Sequence, residues 1–319
     1  MVPTLPPARL ARLAPTPSGF LHLGNALNFA LTWLLARHMG AKLLLRIDDL
    51  DAERARPEYV EAIFRDLEWL GLGFDLGPAG PDDFWQHWSQ TKRLDLYHTA
   101  LATLAGLELP GGPLVFACTC SRAQVRGASP DGQYPGTCRG RRPDQVAEAA
   151  WRLLTPPGTV ATFAELPGGQ AQVDVWAHAR DPVVRRRDGT PAYQVASLAD
   201  ELHFGTDLVV RGQDLLPSTG VQCYLASWLP AGGAFAGAQF YHHPLVRAAD
   251  GQKLAKSAGA TSLREWRARH PTPAKFYQAL ARLLHVPGAA GVSQIGHILP
   301  HFEPVNLPKD GGLAFMLEM

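Results

Sequence analysis

No hydrophobic run in this chain reaches the roughly 20 residues that a membrane-spanning helix needs. The longest apolar stretch, Ala26–Ala36, is broken by Asn28 and Thr32. Nor does a basic segment lead into an apolar run at the N-terminus, where Pro3, Pro6 and Pro7 crowd the first residues. A secretory signal is therefore not expected, and the cytoplasm is the default location, away from membranes. Net charge is nearly absent: 30 Lys and Arg face 29 Asp and Glu, giving +1. A nucleic-acid partner would need a local basic patch, because the whole-protein field supplies no attraction. Cysteine is scarce, at four residues. Cys118, Cys120 and Cys138 fall within one short segment, while Cys223 stands apart in an apolar stretch. In a cytosolic chain that clustering indicates metal before disulfide. There is no internal repeat or low-complexity tract.

What is present suits a compact α/β protein. With 319 residues, 46% of them hydrophobic and 18% charged, the chain can bury one large core or two modest ones. Arg9–Ala14 reads as a strand, His22–Met39 as a buried helix stopped by Gly40, and Lys42–Ile47 as a covered parallel strand. Pro57 sits at a first-turn position, and Tyr59, Val60, Ile63, Leu67 and Leu70 recur at helical spacing up to Gly71. From residue 106 to 190 glycine, proline, arginine and the cysteines are dense, and helical periodicity survives only around Asp144–Leu154. This segment reads as an insertion between two halves of a nucleotide-binding fold. The fold resumes with a strand at Leu208–Val210, a helix at Gly220–Leu229 and a strand at Phe240–Leu245. Helices are expected at Ser262–His270 and Pro273–Leu284, followed by a Gly/Pro-rich tail of weak periodicity. The expected division is thus 1–105 and 191–260 for the catalytic halves, 106–190 for the insertion and 261–319 for a C-terminal helical region.

Two stretches carry most of the chemistry. Pro15, Pro17 and Gly19 form a turn that feeds a helix beginning near His22 and Gly24, which aims backbone N–H groups and the positive helix end at an anion. His22 at that mouth can donate to phosphate oxygens. Far downstream, Asp250-Gly251 signals a turn before Lys253 and Lys256, which flank Leu254 and Ala255. Mobile ammonium groups there suit the charge that builds on a transferring phosphate.

The stretch from Arg12 through Pro15 and Thr16 to Gly19, followed by His22-Leu23-Gly24, resembles the first signature of class I aminoacyl-tRNA synthetases of the glutamyl and glutaminyl group. Lys253–Ser257 resembles their second signature. Arg46–Asp51, Gln90–Arg93, Ala192–Ala196, Val210–Leu216 and His242–Val246 resemble the blocks between, in the same order. Within the group the chain is most similar to the short glutamyl-queuosine branch. About 60 residues follow the lysine loop, fewer than an anticodon-binding domain of roughly 100 or more would need. Cys118, Cys120, Tyr134 and Cys138 are similar to that branch's zinc site.

The resemblance implies a Rossmann-like catalytic domain with an inserted zinc-binding, acceptor-type subdomain and a short helical C-terminal region. Its partners would be ATP with Mg²⁺, L-glutamate and tRNA(Asp) carrying queuosine, in an AMP-forming ligase expected to be a monomer. By matching positions, Arg12, Leu13, Ala14, Pro15 and Thr16 contact glutamate, with Tyr193 and Arg211. Asp48 would take the substrate ammonium in place of the family's glutamate. His22, Gly24, Asn25, Gly212, Asp214, Leu245 and Lys256 fall to ATP, and His22, Lys253 and Lys256 to stabilising charge. Asn25 stands where the full signature has a second histidine. One structural Zn²⁺ would sit on three thiolates and the Tyr134 oxygen.

Overall fold

A computed structural model describes residues 5–129, 131–245 and 262–308 of the chain. It opens with β1 (Leu10–Leu13), buried throughout, and α1 (Leu23–His38), in which Ala26, Leu27, Ala30, Leu31, Leu34 and Leu35 are fully buried. A helix apolar around most of its circumference belongs inside. The chain returns as β2 (Lys42–Leu45), parallel to β1 with Leu10 opposite Lys42 and Leu13 opposite Leu45. Next, α2 (Pro57–Leu70) starts on its proline and stops at Gly71, whose φ of 69° is a left-handed cap.

A short α3 (Pro81–Asp83) and the longer α4 (Leu94–Ala105) precede the hairpin of β3 (Glu108–Leu109) and β4 (Gly112–Pro113). Then come β5 (Val115–Cys118), α5 (Arg122–Ala128), β6 (Ala150–Leu153), β7 (Val160–Glu165), β8 (Gln170–Asp174), α6 (Val175–His178) and β9 (Val183–Arg185). The last part holds α7 (Tyr193–Phe204), β10 (Leu208–Gly212), α8 (Leu216–Ala226), α9 (Gly232–Ala236), β11 (Gln239–His243), α10 (Leu263–Arg269) and α11 (Ala274–Leu283). Among the described residues, no helix is long and apolar enough to cross a membrane.

The main sheet has six strands in the order β2-β1-β10-β11-β7-β8. All neighbours are parallel except the β7–β8 hairpin. A second, antiparallel sheet, β5-β6-β9, carries the cysteine segment. One core packs α1, β1, β2 and α2 against Trp266, Phe276, Leu280, Ile298 and Phe302 from the C-terminal part. The other lies on the opposite side, around Val173, Val209, Val221, Phe235 and Phe240.

Three expectations change. Around Asp144–Leu154 the structure has a 3-10 turn, Pro143–Gln145, and then β6, whose Trp151 and Leu153 pair with Ala117 and Val115. Cross-strand partners override a weak helical period. Within 106–190, β7 and β8 join the main sheet through β11, so this stretch is not wholly an insertion. The helix expected at Gly220 starts a turn earlier, at Leu216, with a proline in its first turn. The two longest helices without a sequence expectation are α4 and α7, and α7 proves central to the cleft.

Asp66 of α2 ties this helix to α10: its Oδ1 accepts from Arg267 Nε at 2.7 Å, while its buried Oδ2 has no hydrogen-bond partner among the described residues. Burial pushes the carboxyl up to about 6, against the pull of Arg267. The folded state thus holds this proton more tightly than the unfolded chain, so the group's contribution to stability falls as pH rises from about 4 to 6 and stays low above it. Asp66→Asn removes that dependence. Urea unfolding of parent and variant should show the balance moving toward the variant by on the order of 2 kcal/mol between pH 4.5 and 7.5; parallel pH profiles would count against it.

Candidate active site

β1 has β2 on one side and β10 on the other, although β10 comes far later in the chain. At such a topological switch point the crevice beyond the strand ends is where ligands collect in open α/β sheets. A cleft of about 570 Å³ opens there. Arg12, Ala14, Pro15, Thr16, His22, Gly24, Asn25, Asp48, Tyr193, Arg211, Gly212, Asp214 and Leu245 all line it. Leu13 does not: successive strand residues face opposite ways, and its side chain is buried in the main core while Arg12 turns to the cleft. Lys253 and Lys256 lie outside the described residues. On either side of them, Leu245 lines the cleft and Ser262 pairs with His22 in an isolated bridge.

The floor is a buried charge cluster. Arg12 is in β1, Arg46 directly follows β2 and Arg211 is in β10, so three neighbouring strands each deliver one guanidinium. Glu201, in the last turn of α7, meets all three: its Oε1 accepts from Arg12 Nε at 2.8 Å and lies 3.2 Å from Arg46 Nη1 and 3.8 Å from Arg211 Nη2. Burial works to raise this carboxyl, but the three arginines outweigh it and hold it at about 2. Burial lowers Arg12, against the attraction of Glu201. Arg46 grips Asp48 with two bonds, 2.7 and 3.1 Å. Burial raises Asp48 above the usual carboxylate range, and Arg46 pulls it the other way.

The neighbouring acid, Asp200, lies 3.8 Å from Arg46 Nε but is matched chiefly by Arg93. It accepts from Arg93 at 2.6 and 2.8 Å, from Tyr97 Oη at 2.9 Å and from Gln90 at 3.0 Å. Three arginines therefore face Glu201 and Asp48, which leaves one positive charge in excess on the floor. Arg211 uses Nη1 on Gln222 at 2.7 Å and Thr219 at 3.1 Å, whereas its buried Nε and Nη2 have no hydrogen-bond partner among the described residues. Buried N–H donors of this kind call for an acceptor, and an anion meets both needs. Behind Arg211, Thr219 Oγ1 lies 2.8 Å from His242 Nε2, and His242 Nδ1 lies 2.8 Å from Glu165. Of these residues, Glu165, Thr219, Glu201 and Gln222 carried no signal in the sequence, since an acid or amide on an unpredicted face is indistinguishable from solvated surface.

On the other wall, His22 caps α1, and its backbone N–H donates to Asn25 Oδ1 at 3.0 Å. The Asn25 amide oxygen is therefore engaged in the cap. Glycine at 24 keeps the imidazole in place, because a methyl there would lie 2.9 Å from His22 Cε1. At Gly212 a methyl would lie 2.7 Å from Asp214 Oδ1 and 3.2 Å from Leu245 Cδ2. His243 Nε2 lies 3.1 Å from Asn28 Nδ2 and completes this side.

The second site is the cysteine knuckle. The sulfurs of Cys118, Cys120 and Cys138 lie within 4.8 Å of one another, with Cys120 and Cys138 3.6 Å apart. Tetrahedral Zn²⁺ with Zn–S near 2.3 Å would set sulfurs roughly 3.8 Å apart. Tyr134 Oη accepts the Cys138 backbone N–H at 2.8 Å, and its side chain is buried in the same small cluster as Cys118 and Cys138. This donor set is compatible with a metal ion. Cys223 packs in the second core, where burial pushes its thiol up to about 12.

Comparison with known proteins fits this geometry. The family model for tRNA synthetases class I (E and Q), catalytic domain, matches residues 10–123. The glutamyl-Q tRNA(Asp) synthetase of Nitratidesulfovibrio vulgaris is 38% identical over 94% of this chain and 89% of its own length. Its counterpart in Symbiobacterium thermophilum is 36% identical over 94% of each. The glutamate–tRNA ligase of the latter organism, 32% identical, aligns with 88% of this chain but 58% of its own. A solved glutamate tRNA ligase from Elizabethkingia meningosepticum, in complex with its amino acid, shares the fold, with a TM-score of 0.73 at 23% identity over 96% of this chain and 66% of that one. Fold and cleft are thus those of a class I aminoacyl-tRNA synthetase catalytic domain. The chain belongs to the glutamyl-Q tRNA(Asp) synthetase family.

Glu201→Gln removes the shared counter-charge while keeping the shape. Breaking a buried pair from one side typically costs about 3–5 kcal/mol. The urea midpoint should drop accordingly with little change in m; a loss under about 1 kcal/mol would mean that water already hydrates and screens the arginines.

Proposed function

We propose that this protein activates L-glutamate with ATP and transfers it to queuosine in the anticodon loop of tRNA(Asp). The observation that carries the reading is the cationic floor around Glu201, with unsatisfied Arg211 donors, beside the N-terminus of α1. In the first step a glutamate carboxylate oxygen attacks the α-phosphorus. A P–O bond forms, the bond to the β-phosphate bridge breaks, and glutamyl-adenylate and pyrophosphate result. In the second, a hydroxyl oxygen of the cyclopentenediol attacks the activated carbonyl, AMP leaves and the hydroxyl proton goes to solvent or phosphate. The protein's part is positioning and charge stabilisation; no covalent nucleophile is required.

In this reading Arg12 forks to the substrate's side-chain carboxylate, and Tyr193 and Arg211 complete its seat. Asp48, already held by Arg46, accepts from the substrate ammonium. Its side chain is one methylene shorter than the family's glutamate, and Arg46 fixes where that shorter reach is aimed. His22, Gly24, Asn25, Gly212, Asp214 and Leu245 border the nucleotide, and Lys253 and Lys256 supply mobile charge for the phosphates, with Mg²⁺ bound to ATP. A glutamate with one net negative charge balances the floor's excess positive charge, whereas glutamine would leave it uncompensated.

The test is glutamate-dependent pyrophosphate exchange without RNA, followed by transfer assays with queuosine-containing and queuosine-free tRNA(Asp). Exchange without RNA and transfer only to the modified tRNA are expected. Exchange that appears only on adding tRNA(Glu) would favour ordinary charging of the acceptor end, and glutamate binding without exchange would leave a sensor.

The cysteine knuckle is proposed to hold one structural Zn²⁺ through Cys118, Cys120, Cys138 and Tyr134, a closed four-ligand site. Elemental analysis should find one zinc per chain in the parent. Cys138→Ser should lose most of it and lower the melting temperature; equal zinc content in the two proteins would remove the assignment.

A further inference from the structure

A second cavity, of about 540 Å³, opens between α4 and the three-stranded sheet, and no step of glutamate activation uses it. Trp151 of β6, Arg185 of β9, His98 of α4, and Asp188 and Thr190 from the turn after β9 line it. The Arg185 guanidinium lies 4.7 Å from the centroid of the Trp151 ring, so cation and aromatic plane form one polarised surface. The turn beside them is held by several bonds. Arg186 N donates to Thr190 O at 2.8 Å and Gly189 N to Arg186 O at 3.1 Å. Asp188 accepts from Thr190 N at 2.9 Å and from Arg186 Nη2 at 2.8 Å. Even so, an ionised carboxylate has about four acceptor positions, which leaves capacity for a ligand.

This cavity adjoins the first. Asp48 lines one and Leu50 the other, and two residues of extended chain span at most about 7 Å. Arg186 also lies 3.8 Å from Asp51, at the end of the same acidic run. On its far side the turn reaches the cysteine knuckle, where Arg187 donates to the carbonyl of Thr119, between Cys118 and Cys120. One wall of the second cavity is thus braced between the cysteine site and the rim of the catalytic cleft.

The lining matches one kind of guest. Splayed-out bases are recognised by stacking on aromatic or guanidinium planes and by hydrogen bonds on their edges. A carboxylate suits an edge presenting a ring N–H and an amino group, and a guanidinium suits a carbonyl oxygen. Guanine-type rings carry both features side by side. We propose that this cavity seats the acceptor base of the tRNA, a guanine-type ring stacked on Trp151 with its edge read by Asp188 and Arg185. The base's substituent, carried on the five-membered ring next to the carbonyl, extends past Leu50 toward the activated carboxyl in the first cleft. The inference rests on the transfer reaction proposed above; the 7-deazaguanine ring of queuosine keeps the carbonyl and amino edge in question.

Synthetic anticodon stem–loops carrying guanine, hypoxanthine or adenine at the acceptor position test it, titrated by fluorescence anisotropy at one fixed salt concentration. The parent should bind the guanine loop at least about tenfold more tightly than the adenine loop, with hypoxanthine, which lacks the amino group, between them. Asp188→Asn should erase that preference, and Trp151→Ala should weaken all three loops about tenfold or more, the scale of one lost stacking contact. Both variants should keep parental pyrophosphate exchange without RNA, which reports that they fold. If Trp151→Ala loses exchange, Trp151→Phe and the base series on the parent decide. Equal affinity of the parent for the three loops, or variants that bind and discriminate like the parent, would overturn the assignment. A parent that discriminates among the bases but forms no adenylate would instead reject the proposed reaction and leave the cavity's role standing.

Discussion

The contact on which the site depends is the buried carboxylate of Glu201, shared by Arg12, Arg46 and Arg211. Three guanidinium groups brought this close repel one another, and each loses hydration on burial. One acid at their centre makes the arrangement tolerable and fixes where each fork points. Arg12 and Arg211 come from β1 and β10 and Arg46 from the residue after β2, while the acid comes from a helix elsewhere in the chain. The strand order and the charge cluster therefore require each other.

The rest of the cleft is arranged around that floor. The α1 N-terminus faces it from one side, with His22 above a glycine too small to displace it. His242 and Glu165 stand behind Arg211 on the other, and Glu165 belongs to β7, the strand that joins the main sheet from within the cysteine-bearing region. That region is thus anchored through a sheet strand as well as through loops. The turn carrying Arg186 and Arg187 adds a further brace, so the cysteine knuckle and the second cavity are mechanically connected to the catalytic rim. The proposed reaction divides the labour between these neighbouring cavities, with activation in one and acceptor recognition in the other.

Much of the fold was legible because it is written locally. The opening strand-helix-strand unit, the proline start and glycine stop of α2, and the serine cap of α10 follow from apolar spacing and capping chemistry within a few residues. Motif resemblance then gathered cleft residues from both halves of the chain; among the described ones Leu13 is the exception, because strand alternation turns it inward. The α7 helix was missed, although it carries both buried acids, because Asp200-Glu201 on a short helix looks like ordinary polar surface. β6 was read as helical because a four-residue strand has too few positions to declare its period without knowing its partner.

By itself, then, the sequence determined the local elements, the clustering of three thiols near a tyrosine, and most of the residues that line the first cleft. Only the tertiary structure decided which acid counters the arginines, which strands of the middle segment enter the main sheet, and that a second cavity opens beside the first. The reason is range. Caps and periodicity act over a turn or two of chain, whereas Arg12 meets Glu201 across 189 residues, a pairing that exists only once the order of the strands has been set.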